Sequence, residues 1–169
     1  MKKILFLAPR DPFSGRYSGD VLRAKKFIEF FKKKNHVTVI STGYNSSIKN
    51  TRKLKIIKFK NQNLILKFIY IILSLLNLRP LQLGFFYSSG INKYVKENFK
   101  KFDIVFCQSI RVAPYVLDLE FDKKILDMGD LYSKNYYQTF LAQSNFNPIK
   151  LIYFLESILM ERYEKLCLK

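Results

Sequence analysis

Apolar residues along this chain follow two rhythms. The opening, Lys2-Lys3-Ile4-Leu5-Phe6-Leu7-Ala8-Pro9, is a short continuous apolar run that reads as a strand. A loop over residues 10–19, holding Gly15 and Gly19, leads into a helical pattern with Ala24, Phe27, Ile28 and Phe31 on one face. Lys25, Lys26, Glu29, Lys32 and Lys33 take the other face, so this helix packs one side on a sheet. Residues 36–41 and 54–59 are β-branched or alternating runs and predict a second and a third strand. Residues 103–107 and 124–127 predict the fourth and fifth. A helix over 87–99 precedes strand four, another begins near Tyr132, and Pro148, in a first-turn position after Asn147, opens a long last helix. The stripe expected on that last helix is Ile152, Leu155, Leu159, Tyr163 and Leu166. Strands alternating with helices in this order predict an α/β fold, a Rossmann-like and mainly parallel sheet with helices on both faces. Ligands of such sheets bind beyond the carboxyl ends of the strands, which makes residues 10–19 a candidate site.

Residues 64–78 break the alternation, being almost continuously apolar. Fifteen residues that include Lys67 and stop at Arg79-Pro80 are too few to cross a bilayer, which takes about 20. Asn63, Lys67, Tyr70, Ser74 and Asn77 recur at spacings of four, three, four and three, giving a narrow polar stripe beside a wide apolar arc. Such a helix can lie in a bilayer interface, line a groove for a lipid acceptor, or sit in the core. Apolar runs of this length are usually buried, so a core helix is the expectation.

The length of 169 residues and the 49% hydrophobic content suffice for one well-filled domain. Its net charge of +17 is uneven: residues 1–102 carry 22 Lys and Arg against Asp11, Asp20, Glu29 and Glu97, whereas residues 103–169 carry 8 against 9. A basic first half suits an anionic partner, either phospholipid headgroups, a phosphorylated substrate or nucleic acid, although a Lys-, Asn- and Ile-rich composition also follows from an AT-rich genome. Cys107 and Cys167 lack the spacing of a metal site or a disulfide framework, and a reducing cytoplasm is the simplest setting. The apolar run after Lys2 and Lys3 is too short for the core of a signal peptide.

Chemistry-bearing residues gather where the fold places the ends of strands one, four and five. Asp127 and Asp130 follow strand five, with Ser133 nearby; a carboxylate there can serve as general base for an acceptor hydroxyl, or cap the helix that begins near Tyr132. Arg10, Arg16 and Arg23 surround the first loop, and guanidinium forks match phosphate or sugar-acid oxygens. His36, the only histidine, stands at the start of strand two, away from the carboxyl ends, and reads as structural.

Taken in order, the opening strand, Ser18-Gly19-Asp20-Val21-Leu22-Arg23, Asn35-His36-Val37-Thr38-Val39-Ile40, Phe102-Asp103-Ile104-Val105, Pro114-Tyr115-Val116 and Ile125-Leu126-Asp127-Met128-Gly129-Asp130-Leu131-Tyr132-Ser133 resemble the N-terminal domain of GT-B glycosyltransferases of the family 4 type. The Gly-Asp-x-x-Arg loop and the Asp-x-x-Asp-x-x-Ser turn resemble a branch of bacterial sugar transferases that build cell-surface polysaccharide. The resemblance implies retaining, metal-independent transfer from a nucleotide sugar, with no cofactor, to a surface-glycan or lipid-linked acceptor at the cytoplasmic face of the membrane. It implies acceptor-side catalytic roles for Asp130 and, second, Asp127. Substrate contacts would come from Gly15, Arg16, Gly19, Arg23 and Ser133, with the Gly19 loop beside the donor diphosphate. Many members carry a His-Asp pair after strand five; Gly129 stands here where the His would be.

The family's second, donor-binding domain has no counterpart in these residues, so the expectation is an acceptor-side half, as a truncated product, an excised domain, or one member of a split enzyme with a partner donor chain. The alternative is a non-catalytic, basic membrane-surface module or remnant. A nucleotide-binding oxidoreductase is disfavoured because Gly15-Arg16-Tyr17-Ser18-Gly19 departs from G-x-G-x-x-G, and no nucleic-acid-binding motif is present.

Overall fold

The computed structural model of the chain describes residues 1–15, 17–43 and 50–168. Arg16, one of the arginines singled out above, lies outside the described residues. The elements are β1 (Lys3–Leu7), α1 (Gly19–Lys32), β2 (His36–Thr42), β3 (Leu54–Phe59), α2 (Leu64–Leu76), α3 (Leu81–Phe86), α4 (Ser89–Asn98), β4 (Ile104–Gln108), β5 (Lys123–Asp127), α5 (Tyr132–Ala142) and α6 (Ile149–Cys167). They form two compact units, one of residues 1–62 and 88–127, the other of residues 63–87 and 128–169.

The first unit holds a five-stranded sheet of order β3-β2-β1-β4-β5, every pairing parallel. This is the expected Rossmann-like α/β architecture. The central strand β1 has to bury both faces, which explains why its sequence is a continuous apolar run rather than an alternation. One face carries Ile4, Phe6, Val37, Val39 and Phe106, covered by Ala24 and Ile28 of α1. The Phe106 ring lies 5.0 Å from Phe6, 4.9 Å from Phe27 and 5.2 Å from Phe31, an aromatic cluster that fixes α1 over β1 and β4. Leu5, Leu7 and Val105 point to the opposite face and are equally buried. The connection from β1 to β2 and that from β3 to β4 run in opposite directions across the sheet. The right-handed rule for parallel crossovers therefore puts α1 and α4 on opposite faces, with Ile91 and Val95 the buried side of α4.

In the second unit, α6 is the organising element, and its buried side differs from the expected stripe. Leu159 and Tyr163 are inside as expected, but Ile152, Leu155 and Leu166 are exposed, and Glu156, Ser157, Met160 and Glu164 are buried instead. The reason lies in two helix starts that need acceptors. Glu156, only 3% exposed, takes the amides of Leu81 (2.7 Å) and Gln82 (3.0 Å) at the start of α3. Glu164, 5% exposed, takes the amide (3.1 Å) and the hydroxyl (2.5 Å) of Ser133 in the first turn of α5. Each carboxylate answers orphan N–H donors and sits at the positive end of a helix, two favourable terms that outweigh the burial of its charge. The capping reading of Asp127 and Asp130 is thereby corrected: Leu131, the N-cap of α5, has an aliphatic side chain with no acceptor, and Glu164 reaches in from α6 instead. Pro148 likewise stands one place earlier than expected, as the N-cap of α6, and Asn147 accepts the amide of Ile149 at 3.0 Å.

The helix α2 corrects a second expectation: none of its residues is buried. The middle of its polar stripe, Lys67, Tyr70 and Ser74, is its least exposed part. Asn63 and Asn77 cap its two ends, Lys67 sits 4.4 Å over the Phe85 ring, and Tyr70 packs at 4.7 Å on Tyr87. Gly84 of α3 makes this approach possible, since a Cβ there would collide with the main-chain carbonyl of Tyr70. No described helix is long and apolar enough to cross a membrane.

Replacing Glu156 or Glu164 by Ala leaves buried amides unanswered and should each cost about 1–3 kcal/mol, read as a lower urea midpoint. Glu161→Ala, which removes an exposed partner of Lys165 on the same helix, should leave the midpoint unchanged.

Candidate functional site

A parallel sheet of order β3-β2-β1-β4-β5 has its topological switch point between β1 and β4, beyond their carboxyl ends. The loop after β1, the start of α1 and the residues that end β4 and β5 meet there. Gln108, the last residue of β4 and 6% exposed, donates from its side-chain amide to the carbonyl of Asp20 at 2.5 Å, tying the first turn of α1 to the sheet. One turn further, Arg23 forms an ion pair with Asp127, the last residue of β5. The Asp127 carboxylate is nearly enclosed while the guanidinium is half exposed. Arg23 gives one N–H to Asp127 and has five, so its fork can engage a second anion without releasing the first. Its guanidinium carbon also lies 5.8 Å from the Phe27 ring centre, which limits the positions it can take.

Between these two strand ends, Ser109 holds φ at 91° and ψ at 145°, a conformation nearly reserved for glycine. Its amide donates to the Asp127 carbonyl at 2.9 Å, and its hydroxyl accepts the amide of Arg111 at 3.3 Å. Strain of this kind persists only where surrounding bonds over-determine the backbone, and it collects at functional sites.

Asp20 starts the helix with a carboxylate that accepts from the Ser18 hydroxyl (2.5 Å) and the Val21 amide (3.0 Å) and pairs with Arg10 at 3.3 Å. Burial opposes its charge, but the Ser18 hydroxyl, the Val21 amide and the Arg10 guanidinium together hold its pKa below the ordinary aspartate value. Gly15 has φ of 76° and lies on the exposed tip of the loop, a turn a side chain would strain. Gly19 has open space around the position of a Cβ. Both candidate arginines that the structure describes therefore reach the sheet edge already matched to carboxylates.

A further ion pair fixes the loop from the other side. Asp11, 9% exposed, takes the amide of Phe13 at 2.9 Å and pairs with Lys58 of β3, 8% exposed. Gly43 packs against it, since a Cβ there would come 3.1 Å from that of Asp11. The Thr42 hydroxyl reaches the Pro9 carbonyl at 3.2 Å.

In the second unit, Asp130 is an exposed carboxylate on the connection before α5. Ser133 is buried, its amide and hydroxyl both engaged by Glu164. It borders a cleft of about 540 Å³ between α5 and α6, lined also by Lys134, Tyr137, Phe154 and Ile158. His36 sets a ring nitrogen 3.2 Å from the Arg52 carbonyl at the amino end of β2, a structural position. Cys107 is buried on β4, and neither cysteine is joined in a disulfide. Burial pushes the Cys167 thiol up to about 11, with the Glu164 carboxylate adding to it against a bond from Tyr163, so this sulfur is no nucleophile at neutral pH. Among the described residues no three His, Cys, Asp or Glu side chains gather as a metal site.

Gln108, Ser109 and the Asp11–Lys58 pair are not candidates from the sequence. Gln108 leaves a signal, being a polar residue that ends an apolar strand; the backbone of Ser109 leaves none, since serine ordinarily avoids that conformation. No family model, curated protein or solved structure matches the chain.

Lys58→Met strands a buried carboxylate and should cost about 3–5 kcal/mol in urea unfolding, most of it recovered in Lys58→Met combined with Asp11→Asn. Asp20 contributes stability that is complete above the ordinary aspartate range and fades as pH falls through its lowered folded value. Asp20→Asn should therefore flatten the acid limb of the stability profile below about pH 4, while leaving its slope between about pH 5 and 8 unaltered.

Proposed function

We propose that this chain is the acceptor-side half of a retaining glycosyltransferase, moving a sugar from a nucleotide donor to a lipid-linked or surface-glycan acceptor. The observation that carries the reading is the arrangement at the switch point of the sheet: a strained Ser109 between the ends of β4 and β5, with the half-exposed Arg23 fork oriented by Asp127. This edge suits an oxygen-rich, anionic ligand, which the diphosphate of a sugar donor or of a lipid-linked acceptor supplies. The ordered motifs that resemble family 4 transferases support the same assignment from the sequence side.

Within this reading Arg23 binds phosphate oxygens and Asp127 positions it. Asp130, with its exposed carboxylate, is the general base for the acceptor hydroxyl. The donor's base and ribose are held by a partner domain or chain, and the transfer needs no bound metal. Action at the inner face of the cell membrane follows from a lipid-linked acceptor.

The test is transfer of label from a panel of nucleotide sugars to lipid-linked saccharides by the purified chain together with the product of the adjacent reading frame. Transfer should require both proteins, fall by about a hundredfold or more in Arg23→Ala, and be abolished in Asp130→Ala. Normal turnover in Asp130→Ala would take that residue out of the mechanism. Absence of both transfer and acceptor binding would reject the assignment.

A further inference from the structure

The cleft between α5 and α6 lies wholly within the second unit, and each of its walls narrows what can fill it. Its volume of about 540 Å³ falls among small-ligand pockets, which run from roughly 300 to 1,000 Å³. One wall is aromatic. The Phe140 ring links Tyr137 at 5.9 Å to Phe154 at 5.0 Å, and Tyr137 and Phe154 keep much of their surface exposed where they border the cleft. Two buried hydroxyls border it as well. Ser133 gives its hydroxyl hydrogen to the Glu164 carboxylate at 2.5 Å, and Ser157 gives its own to the Phe154 carbonyl at 2.7 Å. Carboxylates and carbonyls only accept, so both hydroxyls have lone pairs, and no hydrogen, left for an occupant.

Charge narrows the choice further. Lys134 of α5 and Glu161 of α6 both line the cleft, one positive and one negative. The Lys165 ammonium, 2.6 Å from Glu161 along the same helix, holds the Glu161 carboxyl below the ordinary glutamate range and so keeps it an acceptor. An anion in the cleft meets Glu161 and a cation meets Lys134, so an uncharged occupant is favoured. That occupant must donate, because Ser133, Ser157 and Glu161 can only accept. It must also accept, because among the described residues nothing takes up the polar ends of Lys134, Tyr137 and Gln138. Finally it must lay an apolar face on the aromatic wall. A sugar ring meets all three demands, with hydroxyls around its rim that donate and accept and a flat face of C–H bonds. We propose that the α5–α6 cleft binds an uncharged sugar residue, its C–H face against Tyr137 and Phe154 and its hydroxyls shared among Ser157, Glu161, Gln138 and Lys134.

The inference rests on this cleft alone, which includes neither Arg23, Asp127 nor Asp130, and its test measures binding rather than transfer. Saturation-transfer difference NMR on the whole chain, with glucose, lactose, cellobiose and N,N′-diacetylchitobiose each at up to about 10 mM, detects a site of even millimolar affinity. At least one of these sugars should be saturated, most strongly at its ring C–H protons. Tyr137→Ala should weaken that binding about tenfold or more, and Tyr137→Phe, which keeps the ring, much less. Glu161→Ala, an exposed change that spares stability, should weaken it several-fold. All three variants should keep the wild-type circular dichroism. Saturation of none of the four sugars overturns the inference, as does binding indifferent to both Tyr137→Ala and Glu161→Ala. Binding lost in Arg23→Ala and unchanged in Tyr137→Ala also overturns it, since the sugar would then sit at the sheet edge of the first unit. Sugar held in the cleft by a chain that shows no transfer would support the inference while telling against the reaction proposed above.

Discussion

A parallel sheet covered on both faces has nowhere to place chemistry except its ends, and this constraint governs the first unit. The strands β1, β2 and β4 bury side chains both above and below, so polar groups that must stay near them collect at the carboxyl edge. There they are matched to one another: Asp11 with Lys58, Asp20 with Arg10, Asp127 with Arg23. The buried pair between the β1 loop and β3 is the costliest to break, because separating it leaves a charge without water. The two outer pairs keep half-exposed guanidiniums and can admit another anion.

The second unit solves a different problem with the same groups. Its short helices begin without side-chain caps of their own, at Pro80 and at Leu131. The carboxylates that satisfy them come from one long helix, through Glu156 and Glu164 two turns apart. With acids on the inner stripe of α6, Leu155 and Leu166 fall on its outer side, whereas Ile152, on the same side as Glu156, lies in the first turn and is left uncovered. The electrostatics of helix starts, rather than apolar area, decides which side of α6 is inside.

That distinction explains what can be read from the sequence. Strand positions follow from continuous apolar runs, and the five strands stand within a residue or two of the expected places because nothing competes with burial on both faces. The first loop, Arg23 and Asp127 are visible as well, since the alternation of elements fixes which loops share an edge. Hydropathy misplaces the last helix because it assigns Glu156 to solvent, and only the three-dimensional neighbourhood of Leu81 and Gln82 makes its burial favourable. The apolar run at 64–78 misleads for the related reason that periodicity reveals two faces of a helix without saying which is outside. Ser109 is invisible because a serine gives no warning of positive φ, and Asp11 with Lys58 because their separation of 47 residues hides the pair.

The bare Gly84 has a consequence for how α2 can evolve. Contact between α3 and α2 runs through the main chain at Tyr70, so the azimuth of α2 is set by backbone against backbone rather than by the identity of its outward residues. Those residues are thus free to drift among Leu, Ile, Val, Met and Phe without turning the helix. Sequences descended from this one should hold a glycine at position 84 far more strictly than any single apolar residue between 64 and 76.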